Sequence, residues 1–247
     1  TPKITPTATS KSQSEIVDEK IAEIELKYGV KIHYHFNRES YFPEQWLKEP
    51  IEAQGEQITL VEVKRILPLI ESFLDTTPKT VIDDNLAGIY LLREMEFYGK
   101  KYGGTNSRDG VYIKSQGIDN GYTDAFLLGL LFSEFSSILY RNYDFPVAAW
   151  EDINTDDFQY TGTGREMLGG DDLYGQSEDL LQQGFLVKYS QSSLENDFNV
   201  ISRWLFTDQE DLYKFCDSHP KIRAKVKIAI GFYQSIDESY EFAPLPN

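Results

Sequence analysis

Glu134 stands between two serines in the run Phe132-Ser133-Glu134-Phe135-Ser136-Ser137-Ile138-Leu139. If the run is helical, Ser133 and Ser137 lie four residues apart and share the face beside the carboxylate. Glu134 could then serve as a general base, provided burial raises its pKa and a substrate comes within hydrogen-bond reach. Ser133, Ser136 or Ser137 could supply a nucleophile, but a serine hydroxyl needs an oriented base and the chain contains no G-x-S-x-G elbow. The plainer reading is a carboxylate hydrogen-bonded across a cleft, flanked by small polar packing residues.

Other residues could hold metal or sugar. His33 and His35, two apart on an expected strand, could bind one metal from the same face, with a third ligand from elsewhere. Two solvent-facing imidazoles explain the spacing equally well. His219, before Pro220, reads as a loop or helix-start residue. Asp156-Asp157 and Asp171-Asp172, with Gly169-Gly170 for a tight turn, could hold calcium or act as paired glycosidase carboxylates. They match no calcium-loop spacing, so a solvated acidic surface is expected. Trp46, Trp150 and Trp204 could include an exposed peptide- or sugar-binding platform. The lone Cys216, between Phe215 and Asp217, reads as a packed, inert thiol.

Periodicity suggests which elements position these residues. An amphipathic helix is predicted over Ser14 to Tyr28, with Ser14 as cap and Gly29 as stop. Val30 to Phe36 alternates as a strand, with Val30, Ile32, Tyr34 and Phe36 facing inward. Thr59 to Phe73 is a second helix, bent at Pro68. Val81-Ile82, Ala87 to Leu92 and Val111 to Ile113 read as strands, with turns over Tyr98 to Arg108. Thr123 to Tyr140 is the most apolar helix and should cross the core. Glu151 to Gln183 reads as a long surface excursion, and helices follow at Phe198 to Phe206, Gln209 to Cys216 and Ala224 to Tyr233. Strands followed by helices give α+β rather than alternating α/β.

The helical spacing around Glu134 is that of H-E-x-x-H, in which two histidines bind zinc and the glutamate activates the metal-bound water. Between Ile16 and Tyr233 the order of segments resembles the bacterial "putative zinc-binding metallopeptidase" family. The resemblance rests on the leading helix, the strand Gly29-Val30-Lys31-Ile32-His33-Tyr34, the approach Tyr102-Gly103-Gly104-Thr105, the Glu134 helix and its Arg141-Asn142-Tyr143 exit. It extends to Gly184-Phe185-Leu186-Val187-Lys188-Tyr189-Ser190-Gln191-Ser192-Ser193 and the following Glu195-Asn196-Asp197-Phe198-Asn199-Val200, similar to the family's G-F-x-x-x-Y-x-x-S-S and E-D-F-x-E.

This resemblance implies a zincin-like α+β fold, with a mixed sheet over a central helix and a helical C-terminal part closing a cleft. It also implies zinc. Here, however, Ser133 and Ser137 stand at the histidine positions, and Asn196 and Val200 at the acidic ones. None of the three histidines precedes a glutamate, so H-E-x-x-H cannot form anywhere. Serine hydroxyls are neutral and weakly basic, so the expectation is no metal and no cofactor, with Glu134 the remnant of the general base.

The formal charge of −16 argues against nucleic acid or an anionic membrane as partner. No apolar run approaches the ~20 residues of a membrane helix. One cysteine excludes an intrachain disulfide. Residues 1–13, rich in Thr, Pro and Ser, read as a flexible tether, and residues 14–247 as one zincin-like domain. The resemblance further implies an exported surface or outer-membrane lipoprotein, its signal segment removed and a lipid anchor carried by the full-length precursor.

The leading expectation is a catalytically degenerate pseudopeptidase whose former active-site cleft binds peptide, protein or glycan. An active hydrolase, using either Glu134 alone or a metal site built from His33, His35 and carboxylates, and a carbohydrate- or protein-binding module are the alternatives.

Overall fold

The computed structural model describes residues 11–162, 164 and 173–245, and its architecture is α+β. Helix α1, Gln13–Tyr28, opens on a capping box. The Ser12 hydroxyl accepts from the Glu15 N–H while the Glu15 carboxylate accepts from the Ser12 N–H, so Ser12 rather than Ser14 is the cap. Gly29 closes the helix in the left-handed region, φ 78°, where a side chain would be strained. Strand β1 covers only Lys31–His33, and helix α2 (Arg38–Tyr41) follows. Val30, Ile32 and Tyr34 are buried as expected, but Phe36 lies beyond the strand and is only half-buried.

Strand β2 (Gln54–Gln57) leads to α3, Leu60–Thr76, capped by Thr59. The stripe Val63, Ile66, Leu67, Ile70, Phe73 and Leu74 packs into the core, and Pro68 lies on the exposed face. Val81 and Ile82 belong not to a strand but to α4, Lys79–Asn85, which starts after Pro78. Two apolar residues are too few to distinguish the periods of helix and strand, and the proline was the stronger signal.

The segment from Gly88 to Lys114 builds the sheet: β3 Gly88–Phe97, β4 Lys100–Lys101, β5 Gly104–Asn106 and β6 Gly110–Lys114. The stretch expected to be only turns thus contains β4 and β5. Strand β3 is central. It pairs in parallel with β1 and β6 and antiparallel with β2 and β4, while β5 pairs antiparallel with β6 and ends the main path β1-β3-β6-β5. The register sets Ile32, Ile89 and Val111 side by side on one face, and His33, Tyr90 and Tyr112 on the other.

Helix α5, Asp124–Asn142, capped by Thr123, packs on β5 and β6 on one side and on α8 (Leu194–Thr207) on the other. Helices α6 (Val147–Glu151), α7 (Glu178–Gln183), α9 (Gln209–Ser218) and α10 (Pro220–Ile236) complete the helical part. One core lies among these helices and the Ile89 face. A smaller aromatic cluster including Tyr41, Phe42, Phe97 and Tyr112 covers the opposite face.

The Glu151–Gln183 stretch is less of a surface excursion than its polarity suggests. Tyr160 donates from its hydroxyl to Asp197 at 2.9 Å, Phe158 packs on Phe185, and α7 buries Leu181. Asp171, Asp172 and the Gly169-Gly170 pair lie outside the described residues. Among the described residues, no helix is long and apolar enough to cross a membrane.

Candidate functional site

Three elements meet around a cleft of about 750 Å³, and Ser133, Glu134, Ser137, Asn196 and Val200 all line it. Helix α5 supplies the first three, with Ser133 and Ser137 one turn apart. Helix α8 supplies a stripe at i, i+3, i+4 and i+7: Asn196, Asn199, Val200 and Arg203. Strand β5 forms the opposing wall with Gly104, Thr105 and Asn106. None of the three histidines lines the cleft.

Glu134 is held from β5. Asn106 donates from Nδ2 to Glu134 Oε2 at 2.6 Å, while its Oδ1 accepts from the Arg141 guanidinium at 2.5 Å. Arg141 also donates to the Ser107 carbonyl and, at 3.2 Å, to Glu195. Sheet edge and helix approach so closely that a Cβ at Gly104 would meet Glu134 Oε1 at 2.5 Å and Leu130 Cδ1 at 2.8 Å, which gives Gly104 a physical reason; a Cβ at Gly103 would meet nothing within 4 Å. The carboxylate opens into the cleft yet is densely surrounded. Burial pushes its pKa up to about 7; the Asn106 bond and Arg141 oppose the rise, and the Glu195 charge adds to it.

Ser137 is buried and accepts a hydrogen bond at 2.6 Å from Asn199 Nδ2. Asn199 Oδ1 has no hydrogen-bond partner among the described residues. Asn196 donates to Ser192 Oγ at 2.8 Å, and Val200 presents only methyls. Ser136 points away into the core and shares a 2.7 Å hydrogen bond with the Tyr233 hydroxyl, so it is not a cleft residue.

The other candidates lie elsewhere. His33 stacks on Tyr90 at 4.4 Å, the end of a ladder that continues to Tyr112, and burial lowers its pKa. His35, beyond the strand end, is exposed and tilts over Tyr34, so the two imidazoles have different neighbours and do not form one ligand pair. His219 caps α10 and is held between the Phe215 carbonyl and Glu178. Asp156 and Asp157 are exposed, and no cluster of three or more His, Cys, Asp or Glu side chains suited to a metal occurs among the described residues.

Trp150 is not a binding platform. It is fully buried and donates to Asp197 at 3.0 Å. Trp46 packs in the aromatic cluster behind the sheet, and Trp204 alone of the three lines the cleft. Cys216 is buried, and its thiol pKa is pushed up to about 11, which leaves it unreactive at neutral pH.

The sequence reading gave no site role to Asn106 or Arg203, nor to Arg141 and Asn199, which it named only within the segments that carry the resemblance. Extending the helical period from Asn196 would have reached Asn199 and Arg203. Asn106 sits in an aperiodic, Gly-rich stretch, where only the tertiary approach to Glu134 reveals it.

No family model matches the sequence, and no curated protein is significantly similar to it. A crystal structure described as a "putative zinc-binding metallo-peptidase" from Bacteroides caccae superimposes with a TM-score of 0.55 at 14% sequence identity. The match covers 95% of this chain and 89% of that one. At that identity the likeness is one of fold: this chain shares its α+β architecture, with a mixed sheet, with a metallopeptidase-like protein.

Proposed function

We propose that this chain is a zincin-like metallopeptidase homologue that no longer uses zinc, a pseudopeptidase spanning residues 14–247 whose cleft binds an extended peptide. The observation that carries the reading is the Asn199–Ser137 hydrogen bond. Zinc sites are built from imidazole, thiolate and carboxylate. Here the two histidine-equivalent positions offer hydroxyls, and the facing α8 side chain turns an N–H donor onto one of them at 2.6 Å. A donor group occupies the place where a ligand's lone pair is needed, so the gathered residues do not fit zinc. Strand β5 supports a peptide occupant. It ends the main path of the sheet and forms a wall of the cleft, so a bound segment could extend the ladder through its backbone.

A second reading keeps catalysis without metal. Its support is Glu134, whose pKa near 7 suits a general base or acid. One experiment separates the two: incubation with a diverse peptide mixture, with and without added zinc, read by mass spectrometry. The binding reading predicts no cleavage above buffer. Turnover that Glu134→Gln abolishes would overturn it and favour the hydrolase.

The family resemblance also supports an exported, lipid-anchored surface protein. Labelling the full-length precursor with radioactive palmitate in its host tests this; an unlabelled, cytoplasmic product would contradict it.

A further inference from the structure

We propose that Arg203 is a carboxylate anchor in the cleft, so that the peptide taken there is acidic. The inference rests on the reading of the cleft as a peptide site and names what that site selects. This chain has 40 acidic residues against 24 basic ones, and Arg65, Arg93 and Arg141 each hold a carboxylate. Arg203 holds none among the described residues. Its guanidinium lies 5.0 Å from the Phe126 ring, in the wall that also carries Trp204, Tyr174 and Tyr189.

The arginine is built into its place. Gly129, in the middle of α5, is the residue across which its stem lies: a Cβ there would meet Arg203 Nε at 2.6 Å and Cγ at 2.8 Å. Glycine inside a helix is disfavoured relative to alanine, and this approach is the structural reason for it here. Burial also lowers the arginine's pKa, the sign of a cation stripped of much of its water. Such a fork is satisfied by a planar anion. One arginine in a chain of charge −16 balances a monoanion, whereas a phosphate group of about −1.5 to −2 calls for an arginine cluster.

The test uses the intact chain and doubly blocked hexapeptides, N-acetylated and C-amidated, that differ only by Glu against Gln. A third peptide, neutral with a free C-terminus, separates a side-chain carboxylate from a terminal one. Binding is read by fluorescence anisotropy. The proposal expects one carboxylate peptide to bind about tenfold tighter than its neutral counterpart, with the preference erased in Arg203→Gln and weakened in Arg203→Lys. If Arg203→Gln does not fold, Arg203→Lys decides.

Equal binding of charged and neutral peptides, or a preference that survives in Arg203→Gln, overturns the anchor and leaves the peptide cleft standing. If no peptide binds, N-acetylglutamate is titrated against Trp204 fluorescence, with Trp204→Phe as control. A response lost in Arg203→Gln keeps the anchor while the peptide reading falls; no response removes both. Tighter binding of inorganic phosphate, or of glucuronate, than of any of these carboxylates overturns the proposal.

Discussion

Asn199 and Ser137 join α8 to α5 by a 2.6 Å hydrogen bond between two buried neutral groups, and Asn199 Oδ1 is left without a partner among the described residues. Because the pair is desolvated, breaking half of it costs more than the bond itself contributes. Ser137→Ala is expected to destabilise the chain by about 1–3 kcal/mol, since it strands the whole amide. Replacing both partners by apolar groups, Ser137→Ala with Asn199→Leu, should recover most of that loss. Urea denaturation of the two single variants and the double variant measures the coupling, and additive losses would contradict the pairing.

Glu134 makes stability depend on pH in a defined sense. Its pKa rises from 4.5 in the free side chain to about 7 in the fold, so the folded state binds the proton more tightly than the unfolded chain does. Its contribution to stability is therefore full below about pH 4.5 and is lost as pH rises through about 7. Glu134→Gln removes this titration. The variant should match the native protein at about pH 4 and exceed it at about pH 8 by on the order of 1–2 kcal/mol, allowing for the open cleft. Thermal unfolding across that range checks the prediction; a stability difference that does not change with pH would contradict it.

Much of this arrangement is legible from the sequence where a long period or a cap carries it. Helix α5 has both an apolar run and the Thr123 cap, and the stop at Gly29 follows from the conformational freedom of glycine. The placement of Ser133, Glu134 and Ser137 against Asn196 and Val200 came from the ordered resemblance rather than from periodicity, and all five line one cleft. Short elements were not legible. Val81-Ile82 carries no period, and β5 is a three-residue edge strand whose partner β6 is fixed by tertiary packing. The polar contacts of Asn106 with Glu134, and of Tyr160 with Asp197, bridge 28 and 37 residues of chain. No local rule reaches that far.

Lys225 and Asp197 form an ion pair at 2.7 Å with both side chains fully buried. Trp150 and Tyr160 also donate to Asp197 Oδ2 and Lys225 donates to the Gly184 carbonyl, while Asp197 Oδ1 has no hydrogen-bond partner among the described residues. Removing one member leaves an uncompensated buried charge, so Lys225→Met should cost about 3–5 kcal/mol. Asp197→Asn should also destabilise, because it leaves the ammonium with amide dipoles in place of a carboxylate. Chemical denaturation decides; a loss under about 1 kcal/mol for Lys225→Met would mean that the pair is not desolvated.

Gly129→Ala tests the seat of Arg203 through stability alone. In the native background the helix preference for alanine, about 1 kcal/mol, is opposed by the encounter of the new methyl with Nε and Cγ of Arg203. In an Arg203→Ala background that opposition disappears, and the same change should stabilise the fold by about 0.5–1 kcal/mol. Equal effects in the two backgrounds would separate the glycine from the arginine.

The claim that the cleft has exchanged metal chemistry for binding is tested most directly by the zinc content of the native chain, purified without chelator and dialysed against micromolar zinc. Mass spectrometry of the intact folded protein should show no bound zinc, in the native chain and in Ser137→Ala and Asn199→Ala alike. One zinc per chain, lost in either variant, would contradict the account.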